Sequence, residues 1–310
     1  MRRCVVPVKL SAVFAAALTV AAAFIYILAA GGVGGPTTTT SQSQPATYPS
    51  DQLVRASEEA AKAILARLDG SFAVVVNPPF VVIGNSPVGD IRAMETGSVV
   101  APAEAMWRSY FQNKPKHVIT ILLFKDARTY KHWAKKLFGD ADPPYFGYYR
   151  HGDRILVMNI ATGTGTLVHE LTHALIVYDF PAVPLWFNEG LASLHEQCSV
   201  RPERIVGLVN WRLPALQKAV RDKTLSPLRE LITSNDFYGR QRGLNYAQAR
   251  YFVMYMQKRE LLEKFYKHFR NNHRGQDAAV KALEHIFGTK LESIESDYLK
   301  WVMTLRWSAR

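Results

Sequence analysis

The sequence predicts an α+β protein with a mixed-sheet lobe followed by an α-helical lobe, and with an apolar segment ahead of both. Three observations predict this arrangement. Short β-branched and aromatic runs bounded by turn residues are typical of strands and occur between residues 72 and 159. From Pro184 onward, apolar residues recur at three-and-four spacing, which indicates helices. Near the N-terminus, an uncharged apolar run reaches the length of a membrane span.

The N-terminus predicts export. Residues 10–30 are uncharged and rich in Ala, Val, Leu and Ile, and they meet the roughly 20 residues that cross a bilayer. Residues 1–9 form a basic flank, which we expect to stay cytoplasmic, so that the rest lies outside the cytoplasm. Two interpretations remain open: a retained single-pass signal anchor, which we favour, and a signal peptide cleaved after Ala30. Secretion would follow from the second.

The chain after this segment divides by composition. Residues 31–50 are rich in Gly, Pro, Thr and Ser without apolar periodicity, and this pattern predicts a flexible linker. Residues 51–310 are then enough for one large domain. We predict that it consists of an α+β lobe, 51–183, and a helical lobe, 184–310.

The predicted elements of the first lobe follow from local patterns. Amphipathic or apolar periodicity indicates helices at 52–68, 101–111 and 127–138. Strands are expected at 72–76, 80–83 and 118–124, and the unbroken apolar run of the last predicts a buried strand. Gly152-Asp153 indicates the turn of a hairpin between 147–150 and 154–159. In the second lobe, we expect helices at 246–256, 261–269, 278–287 and 291–305.

A short motif points to chemistry: His169-Glu170-Leu171-Thr172-His173 is an HExxH sequence. Histidines four apart on a helix lie on one face, so their ring nitrogens can converge on one zinc ion at about 2.0–2.1 Å. Glu170 projects about 100° from His169 and would lie beside the water that zinc activates. A helical histidine pair without metal is the alternative, which we disfavour because buried imidazoles and carboxylates need partners.

A second segment supplies a candidate for a third ligand. The motif helix follows a loop, residues 163–166, in which a threonine can cap its N-terminus. The helix must end near Phe180, because Pro181 and Pro184 cannot continue it. A second helix then carries Trp186-Phe187-Asn188-Glu189-Gly190-Leu191-Ala192. We expect Glu189 to complete a His2Glu site whose fourth position is open, as in catalytic zinc centres.

HExxH followed by this NEGLA-type segment resembles the gluzincins, and within them the short peptidase MA-like proteins. The resemblance covers about residues 72–260 and is strongest over 166–194. It implies a thermolysin-like catalytic domain with one Zn²⁺ per chain, and hydrolysis of peptide bonds. By this resemblance His169, His173 and Glu189 are the ligands and Glu170 is the general base. It also implies that the hairpin strand at 147–150 is the sheet edge over the cleft, where substrate adds as an extra strand; an ordinary core hairpin is the open alternative.

Two departures from the family limit what the resemblance implies. The interval between His173 and Glu189 is shorter than in the thermolysin-like and aminopeptidase-like branches, so their substrate pockets do not transfer. The chain also lacks a Gly-x-Met-Glu-Asn segment, so aminopeptidase specificity is not expected. The choice between endopeptidase and exopeptidase stays open.

Four further residues are candidates for supporting roles. Gluzincins often place a tyrosine after the glutamate ligand, which makes Tyr246 a candidate catalytic donor to the oxyanion; a packed aromatic is the equal alternative. His195 is a rival donor, although its helical position predicts that it faces elsewhere. Asp179 and Glu196 are candidates to orient a ligand histidine, but we favour solvated surface carboxylates for both.

The net charge of the chain and its expected export limit the kinds of molecule that it binds. The formal net charge of +12 fits attraction to anionic lipid or an acidic polymer. Nucleic acid is not an expected partner, because we expect the chain to be exported and it lacks an aromatic–basic motif.

The leading function is a membrane-tethered or exported zinc metallopeptidase acting on a peptide or protein. The alternatives are a zinc hydrolase of a non-peptide bond and a non-catalytic cell-surface binding module with a metal-stabilised site. The oligomeric state stays open.

Overall fold

The computed structural model describes residues 50–201, 203–275 and 277–308. The predicted segments 1–9 and 10–30, and the predicted linker 31–50 except its last residue, lie outside the described residues. In the part that is described, no helix combines the length and the apolar character needed to cross a bilayer. The described residues from 50 onward group as one compact unit, so both predicted lobes belong to it.

The first part of the chain is α+β, as predicted. Its helices are α1 (Asp51–Leu65), α2 (Val88–Met94), α3 (Ala101–Ser109) and α4 (Ala127–Phe138), and a π-helical turn, Glu95–Val100, joins α2 to α3. Its strands are β1 (Ala73–Asn77), β2 (Phe80–Gly84), β3 (Ile119–Phe124), β4 (Gly147–Arg150) and β5 (Ile155–Asn159). The helix over 88–100 is a departure from prediction, because its glycines and scattered apolar residues produce little periodicity.

The five strands form one mixed sheet in the order β1-β2-β3-β5-β4. The central strands β2, β3 and β5 are parallel, and β1 and β4 run antiparallel at the two edges. The predicted hairpin is therefore confirmed: Gly147 pairs with Met158, and Arg150 with Ile155. Every residue of β3 is buried, in agreement with its unbroken apolar run.

Alternating side chains of the sheet fill two cores. Val81, Ile83, Leu122 and Phe124 pack on one face against α1 and α4. Their neighbours in the strands, including Phe80, Val82 and Ile121, face the larger core, which continues into the C-terminal helices. Because successive side chains of a strand point to opposite faces, the sheet lies between these two cores as the middle layer.

The second part of the chain is mostly helical. Its helices are α5 (Gly165–Asp179), α6 (Leu185–His195), α7 (Leu213–Arg221), α8 (Leu228–Thr233), α9 (Arg242–Lys258), α10 (Leu262–Asn272), α11 (Ala278–Phe287) and α12 (Leu291–Thr304). The prediction that the second lobe is helical throughout is wrong in one place. There, β6 (Cys198–Val200) and β7 (Ile205–Gly207) form a short antiparallel hairpin. Three-residue strands are too short to show an alternating pattern.

Three helices bring the motif segments together. A 3-10 turn, Ile160–Thr162, leads from β5 into α5, and α6 packs on α5 after the predicted proline turn. Gly190 lets α9 approach α6, because a Cβ there would lie 2.9 Å from Val253 Cγ2 and 3.0 Å from the Ala249 carbonyl oxygen. The expected threonine cap on α5 is wrong: Thr164 occupies the N-cap position, but its side chain accepts no capping hydrogen bond.

Candidate metal centre

The two motif histidines lie on one face of α5, as their spacing predicts. His169 Nε2 and His173 Nε2 are 3.0 Å apart, and the two residues are only 7% and 8% exposed. Nitrogen atoms this close avoid lone-pair repulsion only when a proton or a cation lies between them. The two Nε2 atoms are therefore close enough to share one proton or to bind one cation.

Glu189 reaches this pair from α6. Its Oε2 atom lies 3.5 Å from Nε2 of His169 and 3.5 Å from Nε2 of His173. Glu189 is 5% exposed, and its Oε2 accepts no hydrogen bond from any residue that the structure describes. The two histidines are thus its nearest polar groups, and a cation among the three side chains would give this buried oxygen the close partner that it lacks. The buried group of His169, His173 and Glu189 could hold a metal ion, and its two imidazoles and one carboxylate are the donor set of catalytic zinc sites.

Each histidine ring is held by a partner on its other nitrogen. His173 Nδ1 donates to Asn188 Oδ1 at 2.8 Å, so the residue before the glutamate in the motif orients the ring. His169 Nδ1 lies 3.2 Å from Glu196 Oε1, and the bent N–H direction makes this an electrostatic contact. Because Asn188 Oδ1 accepts, Nδ1 of His173 carries the proton and its Nε2 keeps the lone pair that a metal needs, and the Glu196 carboxylate favours the same tautomer of His169.

Glu196 is itself fixed by a cation. Arg212 Nη2 lies 2.9 Å from Glu196 Oε1, and Arg212 Nε donates to Oε2 at 3.3 Å, which is a bidentate contact. The interpretation of Glu196 as a solvated surface carboxylate is therefore wrong. Gly165 contributes to this placement, because a Cβ there would collide with the Glu196 carbonyl oxygen. Burial opposes ionisation of Glu196, but His169 and Arg212 outweigh it and lower its pKa to about 2.

The electrostatics of the three candidate ligands agree with this geometry. Burial lowers the pKa of His169, but contacts with Glu189 and Glu196 outweigh burial and raise that pKa to about 10. Burial also opposes ionisation of Glu189, yet both histidines hold its pKa well below the usual range. At neutral pH the metal-free site thus holds an ionised carboxylate and a proton on the histidine pair, a proton that a metal would replace.

Glu170 is half-buried at the edge of this cluster. Its charge acts on His169 and on His151, which belongs to the turn of the β4–β5 hairpin. No described residue donates a hydrogen bond to its carboxylate. A free carboxylate beside a candidate metal centre can accept a proton from a bound molecule.

Two tyrosines lie on the other side of Glu189. Tyr246 of α9 is half-buried, and Tyr238 comes from the loop between α8 and α9, with ring centroids 6.4 Å apart. Tyr238 donates from its hydroxyl to Glu189 Oε1 at 2.5 Å. For both hydroxyls, burial first and Glu189 second raise the pKa, so both stay protonated and able to donate. Tyr238 was missed from the sequence, because it follows no motif and lies in a loop.

The remaining candidates lie away from this cluster. His195 is completely buried: its Nδ1 lies 3.0 Å from Thr172 Oγ1, and its ring stacks on Tyr110. Burial, and then the charges of Arg250 and His169, lower its pKa to about 3. Asp179 is also buried, which is contrary to the surface interpretation, and it binds donors at the far end of α5.

No protein-family model matches this chain, and no curated protein matches it.

Proposed function

We propose that this chain is a zinc metallopeptidase of gluzincin type that hydrolyses peptide bonds in an exported, membrane-tethered domain. The observation that carries the proposal is the convergence of the buried ligand atoms of His169, His173 and Glu189, with Asn188 accepting from Nδ1 of His173 and Glu196 beside Nδ1 of His169. The α+β part followed by helices, with this cluster where they meet, is consistent with a thermolysin-like domain. Tethering rests on the sequence of residues 10–30.

The residues of the chain have distinct tasks in this proposal. When bound, zinc supplies Lewis acidity that polarises a carbonyl group and lowers the pKa of water. Glu170 accepts the proton of the attacking water and returns it to the leaving amine, which fits its uncommitted carboxylate. Tyr246 donates to the oxyanion that develops on the substrate, because its hydroxyl stays protonated. Tyr238 holds Glu189 and is a positioning residue.

The edge of the sheet offers a place for the substrate. β4 is an edge strand and packs beside α5, which carries the histidines. An extended peptide could pair with its free edge and pass the metal centre. Tyr145 and Phe146 precede this strand and are both more than half exposed, so apolar side chains of a peptide have a surface there.

The first test measures metal and turnover on the full-length chain. We expect about one zinc per chain, which His173→Ala removes and His285→Ala, a change at a histidine of α11 outside the site, leaves unchanged. A digest of an unbiased peptide library should show cleavage that a chelator abolishes and zinc restores. A folded sample that was never exposed to chelator and binds no transition metal would contradict the proposal.

The second test separates catalysis from metal binding. Glu170→Gln should lower turnover by about 10²–10⁴-fold, because general-base catalysis is lost while the ligands remain. Glu58→Gln, an exposed glutamate on α1, is the matched control and should retain full turnover. Peptide cleavage that survives Glu170→Gln would exclude the assigned role of Glu170.

A further inference from the structure

The two tyrosines beside Glu189 are flanked by two arginines. The Arg212 guanidinium lies 5.2 Å from the ring centroid of Tyr246, and the Arg242 guanidinium lies 5.9 Å from the same ring. Arg242 also lies 5.7 Å from the ring centroid of Tyr238. These distances are within the range of cation–π attraction, so the rings hold both guanidinium groups near the candidate metal centre.

The two arginines differ in what their N–H groups contact. The N–H groups of Arg212 are taken up by the carboxylate of Glu196, in a bidentate contact that is largely buried. Arg242 is exposed, and within the described residues no carboxylate forms an ion pair with it. Arg242 is thus a cation that the fold has placed on aromatic rings and has left without an anion.

The chemistry of a ring-held guanidinium selects one kind of ligand. Cation–π attraction to the tyrosine rings holds the guanidinium without using up its five N–H donors. Two parallel N–H groups match the two oxygens of a carboxylate, and such charge-assisted pairs are about twice as strong as neutral hydrogen bonds. A carboxylate is therefore the group that Arg242 is suited to bind.

The position of Arg242 connects this preference to the metal centre. The Tyr238 hydroxyl donates to Glu189, and the Arg242 guanidinium lies 5.7 Å from the centroid of the Tyr238 ring, so one side chain spans the interval between them. An extended peptide advances about 3.3–3.6 Å per residue, so a carboxylate within roughly two residues of the reacting bond can reach Arg242. We propose that the site selects peptides with a carboxylate near the scissile bond, and that Arg242 is the specificity-determining residue. This inference rests on the proposed function for the identity of the reacting bond.

Binding to a turnover-deficient chain tests the inference. The full-length Glu170→Gln chain, loaded with zinc, is mixed with three pools of N-acetylated hexapeptides. The first pool lacks Asp and Glu and ends in a free carboxylate, the second is the same pool amidated, and the third is amidated with one Glu at varied positions. Retained peptides are separated by ultrafiltration and quantified by mass spectrometry. We expect at least about tenfold greater retention of the first or the third pool than of the amidated neutral pool.

The variants assign this preference to a residue. Adding Arg242→Gln should reduce the preference to within about twofold, because a neutral amide cannot form the charge-assisted pair. Adding Arg240→Gln removes an equal charge from an exposed arginine two residues away and should leave the preference intact. Preference for the first pool identifies a C-terminal carboxylate, and preference for the third identifies an acidic side chain.

The outcomes separate this inference from the proposed function. Equal retention of all three pools, including no retention of any, overturns the inference, as does a preference that persists in Arg242→Gln. Cleavage of the same pools by the unsubstituted chain is scored separately. Cleavage without preference would leave the peptidase standing and remove the role of Arg242. A carboxylate preference without cleavage would contradict the peptidase and leave Arg242 as the residue that binds the carboxylate.

Discussion

Glu189 and Asp179 are both buried carboxylates on consecutive helices, yet their surroundings differ. Asp179 Oδ1 accepts from the backbone N–H groups of Gln112 and Asn113 at 3.0 and 2.8 Å. Its Oδ2 accepts from the Tyr266 hydroxyl at 2.7 Å and lies 3.0 Å from Arg270 Nε. Glu189 accepts one hydrogen bond, from Tyr238, and its other oxygen faces two histidine nitrogens.

The difference separates a structural role from a chemical one. Protein donors satisfy both oxygens of Asp179, and the carboxylate joins the end of α5 to the loop after α3 and to α10. Glu189 retains coordinating capacity that no described protein group uses. A buried polar group with complete partners stabilises a fold, whereas one with an unfilled position indicates a ligand.

The largest expected effect separates these two roles directly. Asp179→Ala should lower the free energy of unfolding by about 3 kcal/mol, because it leaves buried donors and Arg270 unpaired. The bound zinc per folded chain should stay unchanged. Denaturant unfolding and metal analysis of the same samples measure both quantities.

Glu189→Gln is the matched change on the other carboxylate. We expect it to abolish stoichiometric zinc binding and, with it, the rise in melting temperature that zinc produces in the unsubstituted chain. The distinction between the two carboxylates would fail if a fully folded Asp179→Ala chain bound no zinc. It would also fail if zinc raised the melting temperature of Glu189→Gln.

The next effect concerns pH. The raised pKa of His169, to about 10, means that the metal-free site holds a proton below that pH. Zinc must displace this proton, so the apparent zinc affinity should rise with pH, by about tenfold per unit for one proton. Competition with a chelator of known pH dependence, between pH 6.5 and 8.5, measures the slope. A flat profile would show that no proton leaves on binding.

A smaller effect is expected at Tyr238. Tyr238→Phe removes the hydrogen bond to Glu189 Oε1 and leaves the ring, so the carboxylate is held less firmly. We expect zinc affinity to fall by about tenfold, the lower end for groups that orient a metal ligand. Tyr145→Phe, an exposed tyrosine ahead of β4, is the control. Unchanged affinity in Tyr238→Phe would remove Tyr238 as a positioning residue.

Patterns within short segments of the chain were enough to predict much of this molecule. The helical period was enough to predict that the two histidines lie together, and the unbroken apolar run was enough to predict that β3 is a buried strand. The turn before α6 followed from its prolines, because proline cannot continue a helix. The strand pair β6–β7 and the helix α2 were not predictable in this way, since neither has a clear period.

Other features depended on which distant segments meet. Tyr238 contacts Glu189 across 49 residues of sequence, and Arg212 contacts Glu196 across 16. These contacts join loops or element ends, whose paths follow from packing and not from a local period. The sequence alone thus determined the three candidate ligands and the candidate base. Only the tertiary structure decided how the ligands are oriented and which of Arg212 and Arg242 pairs with a carboxylate among the described residues, because both depend on side chains meeting across the fold.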